Sequence, residues 1–135
     1  MPLADQLRPF LEGAPEILLA VLFGSHARGT AGPDSDIDLA LRIGQIEQAD
    51  LNHLLAQLER ATGRTIDVVH VDSAPPLLRF EIARDGVLLV QRTQNAWPDF
   101  RARAMLDWWE WDGFGARFAG AAVSRLRAEV GRGPA

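Results

Sequence analysis

The chain has 135 residues, which fits one compact domain, and 47% of them are hydrophobic, enough for one buried core. It has no cysteine, which excludes disulfides, thiolate zinc sites and a thiol nucleophile. Its net charge of -4 argues against a main role in gripping nucleic-acid backbone, and the absence of lysine excludes a P-loop NTPase. No apolar run is long enough to span a bilayer and no basic leader is visible, so we expect a cytoplasmic protein without membrane contacts.

Apolar residues recur with helical and strand periods in turn along the chain, and clusters of Gly and Pro separate the segments. Strands alternating with helices predict a mixed α/β (α+β) domain, with a small sheet of about four strands flanked by helices. The predicted elements are a helix over 3–12, a strand over 17–23, a short helix over 26–30, a strand over 36–43, a helix over 48–62, a strand over 66–71, a helix over 77–82, a strand over 87–91 and a helix over about 97–127 with a weak point at 113–115.

The most informative stretch lies between the first two strands. Gly24 and Ser25 follow the first strand, and Asp36 and Asp38 come after ten intervening residues, at the start of the second. Glycine lets a backbone approach a phosphate closely, and a helix with Ser25 as its N-cap would direct free N–H groups at an anion. Residues i and i+2 of a strand share a face, so the two carboxylates lie side by side and repel unless a cation neutralises them. This layout predicts a site for a metal-bound triphosphate.

Asp67 is the candidate for a third carboxylate. It lies in an otherwise apolar, β-branched strand, where a buried aspartate without a partner would be costly. Strand alternation places it on the face opposite Ile66 and Val68, which is the carboxylate face of the neighbouring strand. Oxygen ligands suit Mg²⁺ or Mn²⁺. The alternative is a solvated acid at a strand end.

Two metal ions, an in-line displacement and a phosphate cradle together indicate nucleotidyl transfer. We expect an acceptor hydroxyl to attack the α-phosphate of a nucleoside triphosphate and release pyrophosphate. In this interpretation Asp36 and Asp38 bridge the metal ions and Asp67 helps to deprotonate the acceptor. Arg28 either steadies the phosphates or is a solvated helix residue.

These motifs resemble those of a known superfamily. Leu-Phe-Gly-Ser-x-Ala-Arg-Gly followed by Ser-Asp-Ile-Asp-Leu is similar to the signature of the DNA polymerase beta-like nucleotidyltransferases. Within them, the short chain and the Gly-Ser-x10-Asp-x-Asp spacing resemble the minimal nucleotidyltransferases, the MntA-type antitoxins of HEPN–MNT toxin–antitoxin pairs. The segment over 75–86 resembles that group's region after the third acid. The likeness covers a catalytic core of about 15–95, and only a loose match follows, over a C-terminal helical segment of about 97–130 in a single domain over 1–135.

The resemblance implies a polymerase beta-like nucleotidyltransferase fold and a Mg²⁺-dependent enzyme that uses ATP as co-substrate. Family members of this type transfer AMP to a tyrosine of the partner HEPN ribonuclease and thereby silence it. Because Asp36, Asp38 and Asp67 are all present, we expect an active enzyme with two Mg²⁺ ions, or Mn²⁺ in their place. The expected partner is a cognate HEPN toxin held in a hetero-oligomer, with no direct binding of nucleic acid.

Tryptophans cluster after the predicted core. Trp108, Trp109 and Trp111 cannot all point to one face of a helix, because neighbouring residues lie about 100 degrees apart. At least one of them should be exposed or docked against another molecule, and exposed tryptophans favour protein interfaces. We therefore treat the three as a candidate partner interface, with core packing as the alternative.

Two other functions stay open at this stage. One is a small-molecule adenylyltransferase similar to the aminoglycoside-modifying enzymes, with a site completed by dimerisation. Those enzymes usually carry a sizeable second domain, whereas about forty residues follow the predicted core, which favours a protein acceptor. The other is an antitoxin that acts by binding alone, against which the three intact acids count.

Overall fold

The computed structural model describes the backbone of residues 1–118 and the side chains of residues 1–111. Helices and strands alternate as predicted. In chain order they are α1 (Leu3–Glu12), β1 (Ile17–Phe23), α2 (Ser25–Arg28), β2 (Ile37–Ile43), α3 (Gln48–Thr62), β3 (Ile66–His70), a 3-10 turn (Val71–Ser73), α4 (Pro76–Asp85), β4 (Val87–Gln91) and α5 (Ala96–Phe118).

The four strands form one mixed sheet in the order β3-β2-β1-β4. β1 pairs antiparallel with β2 and with β4, whereas β2 and β3 run parallel. The parallel pair needs a crossover connection, which α3 supplies. The predicted mixed sheet of about four strands flanked by helices is confirmed, and β3 is an edge strand.

Helices cover both faces of the sheet. On one face α1 and α3 pack their leucines against the odd-numbered residues of β2, such as Ile37 and Leu39. On the other face α4 and α5 pack against Val21, Phe23 and Ala40. Strand alternation assigns Asp38 to the same face as Ala40. The predicted carboxylate face is therefore the face that α4 and α5 cover.

Local boundaries around the motif differ from the prediction. The short helix begins at Ser25, with Gly24 as its N-cap, and the Ser25 side chain makes no capping hydrogen bond. The N-cap prediction was wrong because the backbone already turns at Gly24, where φ is 74°. β2 begins at Ile37, so Asp36 immediately precedes the strand.

α5 begins at Ala96 and continues to Phe118 without a break at the predicted weak point over 113–115. The remainder of the predicted C-terminal segment, residues 119–130, lies outside the described residues. Over residues 1–118, neither α5 nor any other helix combines the length and the apolar character needed to cross a bilayer.

The three clustered tryptophans of α5 have different environments. Trp108 is only 3% exposed and stacks on Phe80 of α4 at a ring-centroid distance of 5.6 Å. Trp109 and Trp111 are 50% and 57% exposed, and Trp111 stacks on Trp108 at 5.1 Å. The prediction that one helix face cannot bury all three is confirmed. Trp108 is a core residue, so its inclusion in the candidate partner interface was wrong.

Candidate active site

A cavity of about 560 Å³ opens between the sheet and α4. Six residues were predicted to bind the metal-bound triphosphate, and five of them line this cavity. They come from the end of β1 and from α2, β2 and β3. Asp36 stands two residues before Asp38 at the same end of β2. The lining residues are Phe23, Gly24, Ser25, Arg28, Asp38, Asp67, Val68, Val69, Leu78 and Glu81.

Gly24 forms the turn that closes one side of the cavity. Its φ of 74° and ψ of -153° lie in a region that is essentially restricted to glycine. A Cβ built on Gly24 would overlap Oδ2 of Asp38, so the carboxylate lies directly against the turn backbone. The two parts of the sequence motif, ten residues apart in the chain, therefore meet in space at this glycine.

The strand pairing brings the acidic residues to one place. Asp38 of β2 is the direct pairing partner of Asp67 on β3. Neighbouring strands lie about 4.8 Å apart, and Asp36 and Asp38 are about 7 Å apart along the chain, so side-chain rotation alone can gather the carboxylates. Asp38 is half-buried, whereas Asp36 and Asp67 are exposed. Because β3 lies at the edge of the sheet, Asp67 is open to solvent, and the argument from the cost of burying it does not apply.

The electrostatics of the cavity favour a cation. Burial raises the pKa of the Asp38 carboxyl above its usual value, and the negative charges of Asp67 and Asp36 raise it further, against the opposing effects of His26 and Arg28. As placed, no three Asp, Glu or His side chains of the described residues already surround one point as metal ligands would. The donors are oxygens alone, on adjacent backbone positions, and like charges this close are relieved by a hard divalent ion. The residues present therefore fit a Mg²⁺ or Mn²⁺ site.

Arg28 lies at the end of α2, exposed at the mouth of the cavity. Its positive charge opposes the rise in the pKa of Asp38. The pKa of Asp85 at the end of α4 is lowered mainly by its hydrogen bonds with Arg84, and the charge of Arg28 adds to that effect. Arg28 therefore lies near enough to both carboxylates for its charge to act on them.

Arg64, which is not part of the motif, holds the loop that carries Asp36 in place through hydrogen bonds. The Arg64 Nη1 donates hydrogen bonds of 3.2, 3.0 and 3.1 Å to the carbonyl oxygens of Gly32, Pro33 and Ser35. The Ser35 Oγ accepts a hydrogen bond of 2.8 Å from the Gly32 amide. These contacts fix the approach of the chain to β2, and Arg64 was not identified from the sequence.

We expect Arg64→Ala to loosen this loop. The variant leaves three carbonyl groups without their shared donor, which should lower the free energy of unfolding by about 1–3 kcal/mol. Amide hydrogen exchange over residues 30–36 should accelerate more than elsewhere. Arg60→Ala, an exposed arginine on α3, is the matched control and should change stability by less than about 0.5 kcal/mol. Equal effects of the two substitutions would contradict the bracing role.

Glu81 is the second residue that sequence reasoning missed. It lies on α4 and contributes a carboxylate to the wall opposite β2 and β3. In the sequence it is one acid within a predicted helix, and a glutamate in a helix is normally solvated. Only the packing of α4 over the sheet reveals that it faces the cavity.

A second cavity of about 510 Å³ lies on the other side of α4. All three of its arginines are held in ion pairs. Arg42 donates a hydrogen bond of 2.7 Å to Asp72 and holds the pKa of that carboxyl below its usual range, and Arg79 donates one of 2.9 Å to Asp107. These pairs neutralise the arginines, and the cavity has neither the Gly24–Ser25 turn nor the paired aspartates, so we place the chemistry in the first cavity.

Comparison with known proteins agrees with this location. A family model described as polymerase beta, nucleotidyltransferase matches residues 5–95, which contain every predicted cavity residue. A protein of Methanocaldococcus jannaschii, described as "Putative protein adenylyltransferase", is 36% identical over 69 residues, covering 50% of this chain and 74% of the relative.

Solved structures share the fold. A toxin–antitoxin structure with AMP-PNP matches with a TM-score of 0.68 and 23% identity, over 90% of this chain and 98% of that one. A complex of a tri-AMPylated Shewanella oneidensis HEPN toxin with its MNT antitoxin matches with a TM-score of 0.62 and 20% identity, over 90% and 96%. The family model confirms the resemblance to the polymerase beta-like nucleotidyltransferases that was drawn from the motif. The chain is a nucleotidyltransferase and belongs to the polymerase beta nucleotidyltransferase family.

Proposed function

We propose that this chain is an antitoxin enzyme that transfers AMP from ATP to a tyrosine hydroxyl of a cognate HEPN ribonuclease toxin and so neutralises it. The observation that carries the proposal is the single cavity in which the Gly24–Ser25 turn meets Asp38 and Asp67. A turn for phosphates and a set of carboxylates for metal ions are the two parts that nucleotidyl transfer requires.

In this proposal Asp36, Asp38 and Asp67 hold two Mg²⁺ ions, with Mn²⁺ as a substitute. When bound, the ions neutralise phosphate charge and lower the pKa of the acceptor hydroxyl. The donor set of oxygens alone supports this assignment, as does the pKa of Asp38, which burial and the neighbouring charges of Asp67 and Asp36 raise.

The chain's own residues orient the reaction. The Gly24–Ser25 turn seats the phosphates at close range, and Arg28 stabilises the negative charge of the leaving pyrophosphate. The acceptor oxygen forms a bond to the α-phosphorus while the bond from that phosphorus to the bridging oxygen of the β-phosphate breaks. Asp67 accepts the hydroxyl proton, because it is the carboxylate on the open edge strand, where an acceptor can approach.

Two relatives support a protein as the acceptor. The matched Methanocaldococcus jannaschii protein is described as an adenylyltransferase of proteins, and the Shewanella oneidensis complex contains an AMPylated HEPN toxin with its antitoxin. The cavity opens beside an exposed edge strand, which is compatible with an acceptor carried by another chain.

The exposed tryptophans of α5 supply a candidate surface for that partner. We expect Trp111→Ala to weaken binding of the cognate HEPN protein by about tenfold or more, because large exposed aromatic side chains contribute strongly at protein interfaces. Its effect on stability should be small. Trp108→Ala should instead destabilise the fold by about 3–5 kcal/mol, since it removes a buried ring. Calorimetric titration measures the affinity for the partner, and urea unfolding measures the stability. Unchanged partner affinity in both Trp111→Ala and Trp109→Ala would show that this surface is not the partner interface.

The function is tested with the chain, Mg²⁺, labelled ATP and the HEPN protein encoded beside it. Label on a tyrosine of the partner, lost in Asp36→Asn and accompanied by loss of ribonuclease activity, is the expected result. If inhibition survives both Asp36→Asn and omission of ATP, the chain acts by binding alone. Transfer to an aminoglycoside-like small molecule, with none to protein, would instead identify a small-molecule adenylyltransferase.

A further inference from the structure

The carboxylate of Glu81 is the one charged group of the cavity that the proposed mechanism does not use. It is half-buried on α4 and faces the strands across the cavity. Among the residues whose side chains are described, none forms a hydrogen bond or ion pair with it. The neighbouring cation is Arg84, whose guanidinium is already committed to Asp85 through hydrogen bonds of 3.0 and 2.8 Å.

A half-buried carboxylate without a hydrogen bond or ion pair destabilises the folded chain, and a substrate with a complementary group can relieve this. Partial burial weakens its hydration, and a charge held in this way gains most when an opposite charge or a strong donor reaches it. The cavity thus offers an anion on the helix wall in addition to the carboxylates on the strands.

The nucleotide cannot supply a positive charge to Glu81, since its phosphates are negative and its sugar and base are neutral. Glu81 lies on the α4 wall, across the cavity from the strands that carry Asp38 and Asp67. The negative charges that act on Asp38 are those of Asp67 and Asp36 and not that of Glu81, so we do not count Glu81 among the metal-binding residues. The remaining component of the reaction is the acceptor. A basic side chain next to the acceptor hydroxyl would meet Glu81 as the hydroxyl approaches Asp67.

We propose that Glu81 is a specificity-determining residue that selects an acceptor segment with a basic side chain beside the hydroxyl to be modified. This rests on the proposed function, because it assumes a protein acceptor at this cavity. The chain would then recognise its acceptor by a charge pair inside the cavity as well as by surface contacts outside it.

The test compares Glu81→Gln and Glu81→Arg with the wild type. Glu81→Gln keeps the shape and removes the charge, so the KM for the HEPN protein and its dissociation constant without ATP should rise about tenfold. Glu81→Arg places like charges together and should raise both by about a hundredfold. The kcat and the affinity for Mg²⁺-ATP should stay within about twofold in Glu81→Gln.

Glu12→Gln is the matched control, because Glu12 is an exposed acid at the end of α1 on the opposite side of the sheet. It removes the same charge and should leave the acceptor affinity unchanged. Salt provides a second comparison: raising ionic strength should weaken acceptor binding more in the wild type than in Glu81→Gln, since screening acts on the charge pair.

The outcomes separate the two proposals. If the wild type labels the partner but Glu81→Gln keeps its acceptor affinity and KM, the role of Glu81 is wrong and the proposed function stands. A loss of Mg²⁺-ATP affinity in Glu81→Gln, with acceptor affinity unchanged, would overturn the inference in favour of a nucleotide contact. Absence of any transfer by the wild type would overturn the proposed function itself.

Discussion

Asp38→Asn should reduce nucleotidyl transfer by at least about a thousandfold in kcat/KM while the chain stays folded. Asp38 occupies the centre of the site: it pairs directly with Asp67, follows Asp36 and lies against the turn at Gly24. In the proposed function, loss of this carboxylate removes a group that would hold the metal ions and, with it, several kcal/mol of stabilisation of the developing phosphate charge. Partner labelling under single-turnover conditions measures the effect.

The same substitution should leave the metal-free chain at least as stable as the wild type. Burial and the neighbouring carboxylates raise the pKa of Asp38 in the folded state. The folded chain therefore binds more protons than the unfolded chain between the two pKa values, and its stability falls as pH rises through that interval. Asparagine carries no such charge, so its Tm should match or exceed that of the wild type at pH 7, with the difference shrinking below about pH 4.

Asp34→Asn is the control for this prediction. Asp34 is an exposed acid of the same loop and does not line the cavity. It should retain nearly full activity, and Mg²⁺-ATP should raise its Tm as in the wild type, whereas the Tm of Asp38→Asn should no longer respond. Comparable activity in the two variants would mean that the acidic cavity is not the site of transfer.

The residues of the site that lie close together in the chain could be predicted from the sequence, but the residues that surround them could not. Gly24, Ser25, Asp36 and Asp38 are close in the chain, so a strand, a turn and the next strand are enough to bring them together. Asp67 was assigned to the correct face, because strand alternation is local. Its exposure to solvent could not be predicted, because a strand pattern does not reveal whether the strand lies at the edge of the sheet. That position depends on pairing between distant segments.

The tryptophans illustrate the same limit on the helices. Helical periodicity shows that Trp108, Trp109 and Trp111 cannot share one face. It does not show which of them is buried, because that is decided by Phe80 on another helix. Glu81 and Arg64 were missed for a related reason: each looks like an ordinary surface residue until α4 packs over the sheet and the loop before β2 folds back onto the end of α3.

Gly24→Ala should eliminate most activity by a purely steric route. The glycine has φ 74° and ψ -153°, a conformation that costs another residue about 1–3 kcal/mol. Its new methyl group would also overlap Oδ2 of Asp38. The carboxylate must then rotate away, and a displacement of about 1 Å in a reacting group can cost about a hundredfold in rate. We expect kcat/KM to fall by a hundredfold or more, measured with the partner-labelling assay.

Gly63→Ala is the control that distinguishes the effect of backbone strain from the effect of the contact with Asp38. Gly63 ends α3 with φ 68°, and no atom lies within 4 Å of the position that a Cβ would take. That variant should lose about 1 kcal/mol of stability, the usual cost of a left-handed residue, and keep its kcat. If Gly24→Ala lost stability yet kept full activity, as we expect for Gly63→Ala, the turn would not position Asp38. If Gly24→Ala instead loses activity far beyond its loss of stability, the close approach of this backbone to the carboxylate is what the reaction requires of the glycine.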